Sequence, residues 1–281
     1  MQGFFWESTP EEMALALINM KYKIKKGMID SHFHTMEMAR KDVDVPEVLG
    51  NLLEGGVSYL LDAGVHLNGF ESRLAYREFH PGLYLAAGIH PNVPSGEWPE
   101  AYDSILLKQG KNLYVKGIGE TGLDYFREGS NKKDQFTLLD LHYAVSQKTA
   151  KPLIFHCRAA EKDLTDWIKS HDFPDGAILH CFSGNRDLGE TALDKGFMIS
   201  FAGNSTFKNA PEIREALHWI PAANLLIETD SPYLSPHPLR GKTNHPGHIG
   251  YIYEMISEQT GLELEDLIQT VQSNFKKTFK I

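Results

Sequence analysis

Long hydrophobic runs are missing from this sequence: in 281 residues no apolar stretch reaches the roughly 20 needed to span a bilayer. Met13 to Met20 is apolar but short, and Glu11 and Glu12 precede it where a signal peptide carries basic charge. Neither a membrane span nor a leader is expected, and the cytoplasm is the default location. Cysteine is scarce. Cys157 and Cys181 directly follow His156 and His180, so strand alternation expects them on the opposite face, as small core residues in a reducing compartment. Positive charge is also short, with 28 basic against 37 acidic residues and a net charge of −9. That argues against tight nonspecific binding to duplex nucleic acid, which runs on phosphate neutralisation. A polyanionic substrate stays open, because a bound metal adds local charge that the count omits. There is no Gly-rich dinucleotide loop, no low-complexity segment and no obvious linker.

What the chain does contain is short apolar runs alternating with helical patterns. Strands are expected near 28–32, 58–62, 83–89, 113–119, 152–156, 176–180, 197–201 and 225–229. Helix signals lie between them. One starts at Pro46 and stops at Gly55-Gly56; a second spans 134–148, with Phe136, Leu139 and Tyr143 in register. The last carries Leu264, Leu267, Ile268, Val271 and Phe275 on one stripe. Eight strands with intervening helices fit an α/β fold of the (β/α)8 TIM-barrel type, with a doubly wound open sheet as the rival. The barrel domain is expected over 28–281. Residues 1–27 read as an N-terminal helical extension, starting at Thr9-Pro10-Glu11-Glu12 and packed on a body that does not require it. A Pro/Gly-rich loop spans 232–250.

Chemistry-bearing residues sit where the expected strands end. His32 and His34 are spaced i, i+2 and so share a strand face. His90, Glu120, His156, His180 and Asp230 end later apolar runs. In a (β/α)8 barrel these ends open on one face. Taken singly, each has a bland reading: His180 a core histidine, Asp230 a turn residue, Glu120 a solvated loop residue. Together they point to a metal centre. Imidazoles and carboxylates without thiolate suit Zn²⁺, Mn²⁺ or Ni²⁺, and Mg²⁺ can fill a carboxylate-rich position. Six ligands are too many for one tetrahedral ion and suit two open ones, which lower the pKa of a bound water and clamp a phosphoryl or carbonyl oxygen.

Asp30-Ser-His-Phe-His34, Gly119-Glu-Thr-Gly-Leu-Asp-Tyr125, Ile154-Phe-His-Cys-Arg158, His180-Cys-Phe-Ser-Gly184 and Glu228-Thr-Asp-Ser-Pro-Tyr233 resemble the TatD family of metal-dependent deoxyribonucleases, and Arg240-Gly-Lys-Thr-Asn-His-Pro246 resembles that family's Arg-Gly…Asn-Glu-Pro segment. The resemblance runs from Met28 almost to the C-terminus. It implies an amidohydrolase-like metal-dependent barrel hydrolase with two divalent ions (Mg, Mn, Zn or Ni). His32, His34, Glu120 and Asp230 would hold one ion, and Glu120, His156 and His180 the other, with Glu120 bridging. Asp230 would also act as base on the nucleophilic water. The implied activity is hydrolysis of DNA phosphodiester bonds, of single strands or 3′ ends, by a monomer or weak oligomer. His90, Arg158 and Arg240 would contact substrate. Asn244-His245-Pro246 departs from the family's Asn-Glu-Pro and puts that loop's role in doubt.

Two other readings share these residues. One is a small-molecule amide or phosphoester hydrolase, whose metals are often bridged by a carbamylated lysine on the fourth strand; Lys116 has the parity of Glu120 but lies four residues too early. The other is a non-catalytic nucleic-acid-binding barrel, which the intact ligand set and the acidic charge disfavour.

Overall fold

The computed structural model describes Thr9, residues 22–127 and residues 131–281. The helix expected after Thr9 lies outside them. Eight parallel strands form one sheet in chain order: β1 (Ile29–Phe33), β2 (Tyr59–Asp62), β3 (Leu83–Ala87), β4 (Val115–Asp124), β5 (Leu153–Arg158), β6 (Ala177–Leu179), β7 (Met198–Phe201) and β8 (Leu225–Ile227). Beyond β8 the chain returns to β1. The Asp230 N–H donates to His32 O (2.9 Å), the His34 N–H to Ser231 O (2.8 Å), and the Ser31 hydroxyl to Ile227 O (3.0 Å). This is the (β/α)8 barrel; an open doubly wound sheet leaves its outer strands unjoined. The strands are buried on both faces, which is why they read as continuous apolar runs.

Helices cover the outside of the sheet. The helix Val45–Glu54 begins where the Asp44 carboxylate accepts the Glu47 N–H at 3.0 Å, with Pro46 in the first turn. It buries Val45, Val48, Leu49 and Leu52 at helical spacing. Truncating the fully buried Leu49 to Ala costs about 2–5 kcal/mol. The helix Lys132–Thr149 forms as expected but turns a different stripe inward. Gln135, Leu138, Leu139, His142 and Val145 are buried, whereas Phe136 and Tyr143 are partly exposed. The reason is polar pairing. The Gln135 amide exchanges two hydrogen bonds with the backbone of Asp124 (2.9 and 2.8 Å), and His142 Nε2 accepts the Ile89 N–H (2.9 Å).

β4 runs to Asp124, five residues past its expected end. Its pairing with β5 shifts between Ile118 and Thr121, and this irregularity brackets Glu120. Gly119 (φ +146°) and Gly122 (φ +141°) permit it: a Cβ would lie 2.7 Å from Ile154 O at the first and 2.0 Å from His156 O at the second. Sequence reading takes these glycines as loop punctuation; the strand uses them to turn the Glu120 side chain into the barrel mouth. Before β1, Tyr22 and Ile24 are buried in the core. No helix among the described residues is long and apolar enough to cross a membrane.

Candidate active site

The barrel mouth gathers His32 and His34 from β1, His90 beyond β3, Glu120 from β4, His156 from β5, His180 directly after β6 and Asp230 beyond β8. Glu120 stands at their centre, 2% exposed. Its Oε1 lies 2.8 Å from His156 Nδ1, 2.9 Å from His180 Nε2 and 3.4 Å from His90 Nε2. Its Oε2 lies 3.3 Å from His32 Nε2 and 3.6 Å from His34 Nε2. Asp230 Oδ1 is 3.4 Å from His34 Nε2. Asp230 adopts φ 53°, a left-handed conformation that Asp tolerates better than most residues. Thus one carboxylate faces separate histidines with each oxygen: His156, His180 and, farther off, His90 with Oε1, and His32 and His34 with Oε2.

Further groups orient these side chains. His180 Nδ1 faces Glu228 Oε1 at 3.1 Å, and Glu228 is itself held by the Ser200 hydroxyl (2.5 Å) and the Cys181 N–H (2.9 Å). His156 Nε2 faces Asp124 Oδ2 at 3.2 Å, where Asn92 also donates (2.6 Å). His34 Nδ1 donates to Ala63 O at 3.0 Å. Such partners set the tautomer and leave the other ring nitrogen for the centre. Asp124 and Glu228 were not singled out from sequence. The available signal was spacing: Glu228 lies two residues before Asp230, and Asp124 four after Glu120. His90 differs from the other imidazoles. Its Nδ1 accepts the Asn92 N–H (3.1 Å), so neutral His90 carries its proton on Nε2 and presents a donor, not a lone pair, to the mouth.

Cationic ligands suit this donor set. Both ring nitrogens of His32 and the Oε2 of Glu120 are buried without a hydrogen-bond partner. An orphaned buried polar atom costs about 1–3 kcal/mol. His32, His34 and Glu120 bring ligand atoms within 4.8 Å of one another, and so do Glu120, His156 and His180. Burial opposes ionisation of Glu120, yet the neighbouring His180 and His90 hold it well below the usual carboxylate range. Burial likewise opposes protonation of His180, but Glu120 and Glu228 hold it well above the ordinary imidazole value. A pocket that favours a proton on buried imidazoles favours other cations by the same electrostatics.

The sequence profile of TatD related DNases matches residues 29–280. The chain belongs to this TatD family. It is 33% identical over 260 residues to the uncharacterized metal-dependent hydrolase YcfH of Escherichia coli K12, covering 90% of this chain and 96% of that one. It is 30% identical over 247 residues to a protein of Citrobacter koseri named 3′-5′ ssDNA/RNA exonuclease TatD, covering 85% and 94%. The crystal structure of YJJV, a TatD homolog from Escherichia coli, superposes with a TM-score of 0.81 at 25% identity, covering 91% of this chain and 98% of that one. The chain is therefore a metal-dependent hydrolase of the TatD family.

Around the TatD-family cluster opens a cleft of about 1000 Å³. Its lining includes Arg40, Lys41, Arg127, Arg158, Arg240 and Lys242, against Glu37, Glu97, Glu120, Asp124 and Asp230. In a chain of net charge −9 the cleft is thus nearly balanced, with six cations against five carboxylates. Arg158 lies over the Phe126 ring (3.7 Å) and Arg240 over Phe207 (3.8 Å). Three expectations change here. Cys157 packs against the core as expected while also lining the cleft, whereas Cys181 is partly exposed and lines the cleft. β6 ends at Leu179 and Cys181 has φ 47°, so alternation no longer applies there. Burial, then Asp230 and Glu228, push the Cys181 thiol well up. Lys116 does not share the Glu120 face: the shift in β4 breaks the parity, and its ammonium sits 5.5 Å over the Tyr84 ring. His245, the departure from the family pattern, is away from the cleft lining, edge-on to Tyr22 (5.4 Å) and against His248 (3.8 Å). Its neighbour Asn244 is fully buried and donates to Thr229 O (2.9 Å) and Tyr233 O (2.6 Å), pinning the turn that carries Asp230.

Proposed function

We propose that this chain hydrolyses phosphodiester bonds of single-stranded DNA from the 3′ end. The observation that carries the reading is Glu120, whose two oxygens face His32/His34 and His156/His180 separately. His32, His34, Glu120 and Asp230 would hold one divalent ion, and Glu120, His156 and His180 a second, drawn from Mg, Mn, Zn or Ni. Bound there, the ions would lower the pKa of a water and offset charge on the phosphoryl oxygens. Asp230, 13% exposed at its side chain, reaches the cleft and takes the proton of the attacking water. Arg158 and Arg240 match phosphate oxygens with their guanidinium forks. The Nε2–H of His90 donates to a substrate oxygen. The name carried by the Citrobacter koseri relative supports the same substrate class.

The test is direct. The protein with Mg²⁺ or Mn²⁺ is expected to shorten end-labelled single-stranded DNA, and His156→Ala is expected to abolish it. Failure of both ions to support cleavage overturns the reading. We further propose a monomer or weak oligomer in the cytoplasm, where two free thiols stay reduced. A barrel unit over 28–281 also remains our proposal for the catalytic domain. Because Tyr22 and Ile24 are buried, a protein starting at Met28 is expected to lose about 2 kcal/mol for each, read by urea denaturation.

A further inference from the structure

Two exposed aromatic rings stand at the open end of the barrel: Tyr233 lines the cleft, and Phe126 lies outside its lining, beside the lining residues Arg127 and Arg158. Among the described residues the large apolar side chains most open to solvent include Leu53, Phe79, Leu113, Tyr114, Phe126 and Tyr233. The first four precede strands and so lie toward the closed end of the barrel. Phe126 (63% exposed) and Tyr233 (41%) follow β4 and β8, at the open end. Those strands are four apart in an eight-stranded ring, so the segments that carry the two rings leave the barrel on opposite sides. Each ring has a cation beside it: the Arg158 guanidinium 3.7 Å from Phe126 and the Lys41 ammonium 4.6 Å from Tyr233. The Tyr233 ring centre is 6.1 Å from that of His34.

A ring with a cation over one face and the rest of its surface open to solvent complements one kind of ligand unit, an unpaired nucleotide with its base and its phosphate. A duplex keeps its bases stacked on each other, and a simple phosphoester has no base to offer. We infer that Phe126 and Tyr233 are stacking platforms for unpaired nucleobases on either side of the scissile phosphate, with Arg158 and Lys41 meeting the adjacent phosphates. This rests on the phosphodiesterase reading and adds to it the residues that select single strands. Stacking on one aromatic side chain changes affinity by roughly tenfold or more per base.

Two probes separate stacking from charge: a single-stranded oligonucleotide and the same backbone made abasic. For the metal-loaded protein, the ratio of kcat/KM between the two is expected to fall roughly tenfold in Phe126→Leu and in Tyr233→Leu, through KM. Phe126→Trp, which keeps a π face, is expected to restore it. Fluorescence anisotropy with a hydrolysis-resistant phosphorothioate single strand gives the second readout, with roughly tenfold weaker binding expected in each Leu variant. A ratio and an affinity equal to wild type in both Leu variants would overturn the platforms. Cleavage that fails while base-dependent binding persists would overturn the nuclease reading and leave the platforms standing.

Discussion

His142 and His180 are both buried, at 0% and 4% exposure, yet the fold treats them in opposite ways. His142 sits in the helix layer with a backbone partner on each nitrogen, donating to Leu138 O and accepting from Ile89 N–H. A nitrogen that accepts from an amide cannot also carry a proton, and burial pushes His142 down to about 4. His80, which accepts from the Gly82 N–H, is lowered for the same reason. At the mouth the partners are carboxylates. Burial again opposes charge, but His34 rises to about 9 beside Asp230 and Glu120, and Glu120 and Glu228 hold His180 well above the ordinary imidazole value. Burial alone therefore says nothing about role. The partner shifts the balance: backbone groups leave a neutral structural pin, and carboxylates raise His34, His156 and His180, whereas at His32 and His90 burial still outweighs Glu120.

The largest expected break in this contrast is Glu120→Gln. It removes the one carboxylate common to both histidine pairs, so activity is expected to fall on the order of a thousandfold or more, with loss of bound metal by elemental analysis. Unchanged metal content would show that the pairs do not depend on Glu120. Next come Glu228→Gln and Asp124→Asn, which keep shape and remove the charge behind His180 and His156. Each is expected to weaken metal affinity about 10- to 100-fold in chelator competition. If neither moves affinity, the carboxylates only pack. The last break is on stability alone and leaves activity at neutral pH untouched. His142 has its folded value depressed to about 4, so between about 6.5 and 4 the unfolded chain binds more protons, and stability falls as pH drops through that window. Its share is about 3 kcal/mol at most, fully present at neutral pH and lost toward pH 4. His142→Gln, which keeps an acceptor without titrating, is expected to flatten the urea-derived profile over that range; an unaltered slope would refute the assignment.

The barrel was legible because buried parallel strands leave long apolar runs, and eight of them recur with helices between. His32 and His34 were legible because strand alternation is local. Glu120 was harder, since glycines on either side suggest a loop while the real strand continues through positive-φ positions. Asp124 and Glu228 were not legible as partners of His156 and His180, because that pairing exists only once β4, β5, β6 and the end of β8 meet. The inward stripe of Lys132–Thr149 was misread by weighing aromatics over Gln135 and His142, whose partners lie on other elements. Cys181 was misplaced because alternation was carried past Leu179, where β6 ends.

The claim that one carboxylate serves two metal-binding histidine pairs is tested most directly by an anomalous-scattering map of crystals soaked in Mn²⁺. Two peaks are expected, one beside His32, His34 and Asp230 and one beside His156 and His180, both in contact with Glu120. No peak at the mouth, or a single peak held by His90 and Asp124 away from Glu120, would contradict it.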